Sequence, residues 1–562
     1  MFKNLSRLFL DNTKWLEQQQ RSILSAALII TVANVLSSVS GLIRERLLIS
    51  YFFGSAESQK AYEALQVAFQ IPDALFQLIV LGAVSAAFIP TFASLKKKSE
   101  AEAYHVASAV MTLTVLVFGL CSLAVFIFAE PITLFRTGSA FTQDQLMIVV
   151  RLTRIMLLAQ FFFAISNFLT GILQSYQRFI VPAMAPVLYN IGIMSGVVLF
   201  SGQLGIYSAG VGVVMGALMH MLVQLPLVRK LGFQWKFTLD WKHAAVKKIL
   251  TLMPPRLMTV GITELQDLAL TFFATTIGNL SFAIINLGLR LMAIPIRLFG
   301  VPISQASLPF LSEESEEKDK KQFNQLVVQA LHQIAFFALP ASVMLLILRV
   351  PIVRLVFGAD NFPWSTTVMT GRVVAIMAVS IAAQAMTQLL IRVFHAMKDT
   401  ATPFVVTMMT VGLYLAISLT VVYGTEWGAQ GLAVATTASA FLEAGLFIWL
   451  LHQRTEFLNW EDVIWPQLKI LMAGFLMAVF LYLPFRILDE LVFNTSRTLE
   501  LIILTLTTGT IGMVVYLYFC ILFEVKELHY FTALFSKFGK WKQPLSQSSE
   551  VLTETSSDEH AV

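Results

Sequence analysis

AEPITLFRTG, residues 129–138, and RVPIVRLVFG, residues 349–358, are two versions of one phrase, set about 220 residues apart in a chain of 562. Each has Pro in third place, Ile in fourth and a closing Gly. The same offset recurs elsewhere. Pro309 answers Pro90 and Pro403 answers Pro182 at nearly the same spacing, each pair ending or opening an apolar segment. IPDALFQ at Ile71 to Gln77 is echoed by IPIRLFG at Ile294 to Gly300, which sets Phe76 against Phe299 and Ala74 against Arg297. Duplication on this scale, inside apolar sequence, is the pattern of a two-lobed transporter with its substrate path between the lobes.

Hydrophobic residues make up 57% of the chain and charged residues only 13%, with a mean hydropathy of +0.74. That composition excludes a soluble globular protein. A bilayer core asks for about 20 apolar residues per helix. Fourteen such segments begin near Ile23, Ala61, His105, Leu146, Ala183, Ile206, Leu252, Ser281, Gln325, Ser365, Pro403, Trp427, Trp465 and Leu499. Alternating barrel patterning is absent, so the expected fold is an all-α polytopic membrane protein. Six spans to a repeat is an even number, which makes the two repeats parallel, with two C-terminal helices beyond them.

Basic residues in short connections mark the cytoplasmic side. They gather before the first span (Lys3, Arg7, Lys14, Arg21), after the second (Lys96 to Lys98) and after the sixth (Arg229, Lys230, Lys236, Lys242, Lys247, Lys248). Both termini are therefore expected to be cytoplasmic, and the net charge of +5 is this bias rather than a nucleic-acid footprint. The expected organisation is an N-terminal lobe over 1–230, a cytoplasmic linker over 231–248, a C-terminal lobe over 249–455, helices 13 and 14 over 456–525, and a cytoplasmic tail over 526–562. The tail is rich in Ser, Thr and Glu from Pro544 and is expected to be disordered. Met1 to Arg21 is polar and no cleavage site follows, so the first apolar span is read as retained.

Enzymatic chemistry has little support. HExxH, CxxC, Walker and GxSxG patterns are absent. The histidines, such as His220, His332 and His395, are scattered singly, and Cys121 and Cys520 lie far apart in apolar spans. The expectation is a transporter without metal or cofactor.

Charges inside spans cost about 2.5–3.5 kcal/mol each on insertion scales and face a bundle interior or a wet cavity. In the first span Asn34, Ser37, Ser38, Gly41, Arg44 and Glu45 follow helical steps on one face. Arg44 and Arg46 are alternatively snorkelling anchors. The eighth span aligns Arg290 and Arg297 on one face, two turns apart around Pro295, a pair that suits a diphosphate, or that pairs with Glu264 and Asp267 of the seventh. Those two acids at i and i+3 are also candidates for a coupling cation or proton. Glu63, Asp73, Arg151, Arg154, Arg372 and Glu443 complete the set of charges in spans.

Longer stretches carry a resemblance. GILQSYQRFIVPAMAPVLYNIGIM at Gly171 to Met194, LVQLPLVRKLGF at Leu222 to Phe233, RLMAIPIRLFGVPISQASLPFLS at Arg290 to Ser312, PIVRLVFG at Pro351 to Gly358 and RVFHAMKDTATPF at Arg392 to Phe404 resemble segments of the MurJ/MviN family of the MOP superfamily. The resemblance spans Ile23 to Gln453. It implies flipping of lipid II, the undecaprenyl diphosphate-linked peptidoglycan precursor, from the inner to the outer leaflet by alternating access. It also implies a cationic central cavity, a groove for the lipid tail formed by the last two helices, and cell-wall synthesis proteins as partners. On this resemblance Arg44 and Arg290 contact the diphosphate, Arg297 assists, and Glu45 and Glu63 balance charge or gate. The pattern departs from the family at Ser38, where an arginine is usual, and at Phe76, Gln77 and Leu81, where paired basic residues and a Glu are usual. Arg46 and Arg297 are candidates to restore the lost charge. The departures leave open another MOP-type flippase or drug exporter, and a transport-inactive scaffold.

Overall fold

The two copies of the opening phrase become two short helices at equivalent places in a duplicated bundle. The structure, a computed structural model, describes residues 23–81, 88–315, 320–359, 361–456, 459–493 and 497–529. Lys3, Arg7, Lys14, Arg21, the tail from Pro544 and the side chains of Pro254 and Pro255 lie outside the described residues.

The first repeat runs α1 (Ile23–Phe52), α2 (Ala56–Phe76), α3 (Ile89–Lys96), α4 (Glu100–Ile127), α5 (Ala129–Arg136), α6 (Gln143–Ser175), α7 (Ile180–Leu204), α8 (Tyr207–Leu222) and α9 (Leu225–Lys230). The second runs α10 (Ala244–Ile277), α11 (Ser281–Pro295), α12 (Val301–Glu314), α13 (Lys321–Ile347), α14 (Arg349–Phe357), α15 (Trp364–Ala378), α16 (Ile381–Ala396), α17 (Ala401–Gly424) and α18 (Gly428–Thr455). Helices α19 (Trp465–Leu491) and α20 (Thr498–Leu522) have no counterpart. The starts of α4 and α13, of α5 and α14, and of α7 and α17 keep the offset of the opening phrase to within one position. The packing repeats as well: α7 lies on α8 as α17 lies on α18, and α2 on α6 as α11 on α15.

Among the described residues ten helices are long and apolar enough to cross a membrane, or eleven with the pair α15 and α16, which bends by 47°. The three remaining apolar segments fall on α1, α2 with α3, and α10, each of which includes residues or side chains outside the described set. Trp364, Trp427 and Trp465 stand exposed at helix starts, as interfacial anchors do. The face carrying Lys96 to Lys98, Arg229, Lys230 and the linker is called the basic face below. The face holding α5 and α14 is the opposite one.

Local chemistry sets the boundaries. The Ser99 hydroxyl accepts the Glu102 amide at the start of α4, and Thr142 and Gln145 form a capping box at α6. Asp399, within the family-like stretch, accepts the amides of Ala401 and Thr402 at the start of α17 and pairs with Arg454 at 2.5 Å. Each repeat also contains a π turn, at Gln77–Leu81 and at Ile296–Gly300. The two turns start within one position of the same offset, so the helical frame sets Gln77 near Arg297. That corrects the pairing of Phe76 with Phe299, because matching the two IP words requires a longer offset than the one the two π turns keep.

The closing glycines of the opening phrase are steric requirements. A Cβ on Gly138 would overlap Thr276 of α10, and one on Gly358 would overlap the Arg354 carbonyl. The Gly138 amide donates to Thr275 Oγ1 at 2.8 Å, stitching the first repeat to the second at the opposite face. Within the first repeat, Gly192 and Gly196 of α7 meet Gly216 and Gly212 of α8 backbone to backbone, two small-xxx-small motifs facing each other.

A Gly138→Val substitution is expected to lower the unfolding midpoint of the purified protein, at a cost of about 1–3 kcal/mol for overpacking. Gly202→Val, where nothing lies within 4 Å, serves as the control. Equal midpoints would show that the seam tolerates the added bulk.

Candidate functional site

Five polar residues of α2 and its continuation, Tyr62, Gln66, Gln70, Asp73 and Gln77, follow steps of four, four, three and four, which is one stripe of a helix. The stripe faces the second repeat. At its head stands Glu45 of α1, fully buried. Glu45 Oε2 meets Arg290 Nη1 of α11 at 3.1 Å and Arg44 Nη2 at 3.4 Å. Glu45 Oε1 accepts the Tyr62 hydroxyl, and Gln66 Nε2 at 2.7 Å. Arg290 Nη2 donates to Gln66 Oε1 at 2.7 Å, which ties the second repeat to the stripe. Arg44 Nη1 donates to Asn190 Oδ1 of α7 at 3.0 Å, and Asn190 donates onward to the Ser37 carbonyl and Ser40 Oγ. The Nε atoms of both arginines are buried without a partner, so each guanidinium keeps a spare donor.

This network forms one wall of a cavity of about 330 Å³ between the repeats. Gln66, Gln70, Asp73, Gln77 and Tyr189 line it from the first repeat, and Glu264, Asp267, Asn286 and Arg290 from the second. The lining therefore carries two arginines, Arg44 and Arg290, and three carboxylates. It is mixed where the resemblance implied a cationic cavity, because Asp73, Glu264 and Asp267 all turn inward. Asp73 accepts from Gln160 Nε2 at 2.7 Å. The acids on α10 face a different cation from the one expected. Arg290 is committed to Glu45, whereas Arg136, buried at the end of α5, is close enough to Glu264 and Asp267 to interact electrostatically and donates to Gln70 at 2.8 Å. Gln70 also accepts the Thr271 hydroxyl of α10.

Glu63 sits beside the seam rather than in the cavity. Its Oε1 accepts the Phe282 amide at 3.1 Å and its Oε2 accepts Gln145 Nε2 at 3.2 Å. A carboxylate of the first repeat thus caps α11 of the second, where the orphan amides of a helix start favour negative charge. Arg46 Nη1 donates to the Leu355 carbonyl in the last turn of α14 at 2.9 Å, and Asn361 Nδ2 to the Ser50 carbonyl at 3.0 Å. Together with Gly138 and Thr275, these bonds hold the repeats together at the opposite face. Arg297 is exposed in the π turn and does not line the cavity. Arg151 and Arg372 are exposed, and Arg154 donates to the Phe126 carbonyl at 3.0 Å.

A second cavity, apolar and about 580 Å³, borders the π turn of the second repeat. Its walls include Leu291, Phe299, Phe336, Pro340, Val356, Met513 and Leu517. Of the last two helices only α20 lines this groove among the described residues; α19 packs behind, against α13 and α20. Tyr516 holds α20 in place by donating to the Phe336 carbonyl at 2.9 Å.

Of the residues expected from sequence, the structure brings Arg44, Glu45 and Arg290 together and sets Glu63 at the seam beside them; Tyr62, Gln66, Asn190 and Arg136 join the network without having been expected. The polar stripe of α2 was the available signal. For Arg136 it was the opening phrase itself, since the second copy has Val356 in the same place.

Two parallel six-helix repeats with a charged cavity on their seam define a two-lobed polytopic membrane protein. A multidrug resistance MATE family transporter of the MOP superfamily, in an inward-facing conformation, shares the fold, with a TM-score of 0.60 at 14% identity over 77% of this chain and 98% of that one. A lipid II flippase MurJ in an inward closed conformation overlays with a TM-score of 0.73 at 23% identity, over 88% of this chain and 99% of that one. The family model described as lipid II flippase MurJ matches residues 49–501, and the chain belongs to that family. Relatives include a probable lipid II flippase MurJ of Bdellovibrio bacteriovorus, 25% identical over 88% of this chain and 93% of the relative. The lipid II flippase MurJ of Burkholderia cenocepacia is 28% identical over 77% and 84%.

Removing the inter-repeat cap with Glu63→Ala is expected to cost about 0.5–2 kcal/mol. It should speed hydrogen exchange at the amides of residues 281–284; unchanged exchange there would show that Glu63 does not hold the start of α11.

Proposed function

We propose that this chain flips lipid II from the inner to the outer leaflet of the bacterial cytoplasmic membrane by alternating access. The observation that carries the reading is the pair of guanidiniums, one from each repeat, that share Glu45 at the wall of the central cavity. A diphosphate presents several anionic oxygens, and arginine binds such groups through parallel N–H donors. Entry of that headgroup offers Arg44 and Arg290 a new partner at the spare Nε donors, and so loosens the bond that joins the repeats. The undecaprenyl tail stays in lipid, along the apolar groove beside α11 and α20. This matters because an unpaired diphosphate in hydrocarbon is prohibitively costly.

In this reading the basic face is cytoplasmic and both termini lie there. The working units are the lobes 1–230 and 249–455, the linker 231–248, the helices of 456–525 and the tail 526–562. The protein acts as a transporter and not as an enzyme, and cell-wall synthesis proteins are its partners. The bonds at the opposite face, including the Glu63 cap, are the periplasmic gate. Arg297 meets the headgroup only at another stage of the cycle, since it is exposed and does not line the cavity. Glu264 and Asp267, with Arg136 beside them, are the site for a coupling cation or proton. Those carboxylates also favour the second reading, export of a different substrate by the same fold.

The test is rescue of a bacterium depleted of its own lipid II flippase, paired with flipping by the purified chain in liposomes. Arg44→Ala and Arg290→Ala are each expected to slow flipping about 10- to 100-fold, the loss of a charge-assisted contact. Arg297→Ala should slow it less. Wild-type rates in both cavity variants at equal membrane levels would overturn the reading, as would failure of the folded parent chain to rescue.

A further inference from the structure

At the basic face a polar cavity of about 490 Å³ lies between the first turns of α13, the end of α18, the start of α19 and the segment after α20. It shares no lining residue with the central cavity. Three of its polar atoms have no partner: Asn324 Oδ1, His332 Nε2 and Glu527 Oε2. Two belong to deeply buried side chains, since His332 is 5% exposed and Glu527 7%. Buried polar atoms are nearly always paired, so three orphans in one cavity point to a missing ligand.

The orphans share a polarity. His332 Nδ1 is 3.3 Å from Glu527 Oε1, and a neutral imidazole that donates there presents Nε2 as an acceptor. Asn324 spends its amide nitrogen on the Thr455 carbonyl at 2.6 Å, which leaves its oxygen. Glu527 Oε2 is a carboxylate oxygen, which when ionised can only accept. The lining as a whole sets four carboxylates (Glu456, Glu461, Asp462 and Glu527) against two lysines (Lys321 and Lys526). The lining thus carries an excess of negative charge.

We propose that this cavity is a binding site for a primary ammonium group, received by Glu527 Oε2, His332 Nε2 and Asn324 Oδ1. An alkylammonium has three donors and no acceptor, which matches three acceptor atoms on residues that line one cavity. Two sources supply such a group at a membrane face: the headgroup of an aminophospholipid, whose phosphate would suit the two lysines, and a free polyamine. The site lies where α13 meets the C-terminal pair, so its occupant would brace that pair against the second repeat.

The test uses the purified full chain and three probes: phosphatidylethanolamine, phosphatidylcholine and putrescine. Phosphatidylcholine has the same headgroup charge with every ammonium N–H replaced by methyl. Native mass spectrometry and the thermal unfolding midpoint are the readouts. Phosphatidylethanolamine is expected to bind at least about tenfold more tightly than phosphatidylcholine and to raise the midpoint. Glu527→Gln, close in shape, should abolish that preference, and Asn324→Ala should weaken it, which keeps the test decisive if one variant fails to fold. Stabilisation by putrescine without a lipid preference assigns the site to a soluble amine; a lipid preference without a putrescine response assigns it to the headgroup. No lipid preference and no putrescine response would overturn the proposal, as would a response undiminished in both variants.

Discussion

A carboxylate in a protein interior has to be paired, and Glu45 meets that constraint with partners from both halves of the molecule. Tyr62, Gln66 and Arg44 come from the first repeat, Arg290 from the second. Moving the repeats apart at this point strips Glu45 of one guanidinium and Arg290 of its countercharge. Elsewhere the seam is apolar contact, single hydrogen bonds such as Thr271 to Gln70 and the Gly138 amide to Thr275, and the looser electrostatic reach of Arg136 to Glu264 and Asp267. The Glu45 cluster is therefore where a ligand acts with most leverage on the arrangement of the lobes. An anion in the cavity competes with Glu45 for the same two arginines, and it shifts the equilibrium only by as much as it prefers one arrangement over the other.

Duplication supplies the frame and divergence supplies the site. Helices α4 and α13 begin at Glu100 and Lys321, and α7 and α17 at Ile180 and Ala401. In the register those pairs of starts share, Arg44 answers Leu265, Glu45 answers Gln266 and Glu63 answers Ile284. Arg290 answers Phe69 in the same register. Each charged role is thus filled by one copy only. A symmetric set would place like charges face to face across the seam. The asymmetric set places an acid of one lobe opposite an arginine of the other.

Much of the fold was legible because membrane insertion writes it in composition. Apolar length located all fourteen segments on helices, and the proline spacing gave the duplication before any contact was known. The site was half legible. Charge inside an apolar span is conspicuous, so Arg44, Glu45, Glu63 and Arg290 stood out. Which charges meet was not legible, because partners such as Glu45 and Arg290 come from different repeats and their meeting depends on how α1, α2 and α11 pack. For that reason Glu264 and Asp267 were open in sequence as alternative partners of Arg290 and Arg297, whereas in the fold they lie within electrostatic reach of Arg136. The π turns hid the register of Arg297 in the same way: a single inserted residue rotates a side chain by about 100° on a helix.

The claim that a shared buried carboxylate couples the two lobes is tested most directly by a double-mutant cycle on unfolding of the purified chain, with Glu45→Gln and Arg290→Gln alone and together. An interaction energy of about 1–3 kcal/mol is the expected result, because either single change leaves its partner unpaired and the double change does not. Additive losses, with an interaction near zero, would contradict the account.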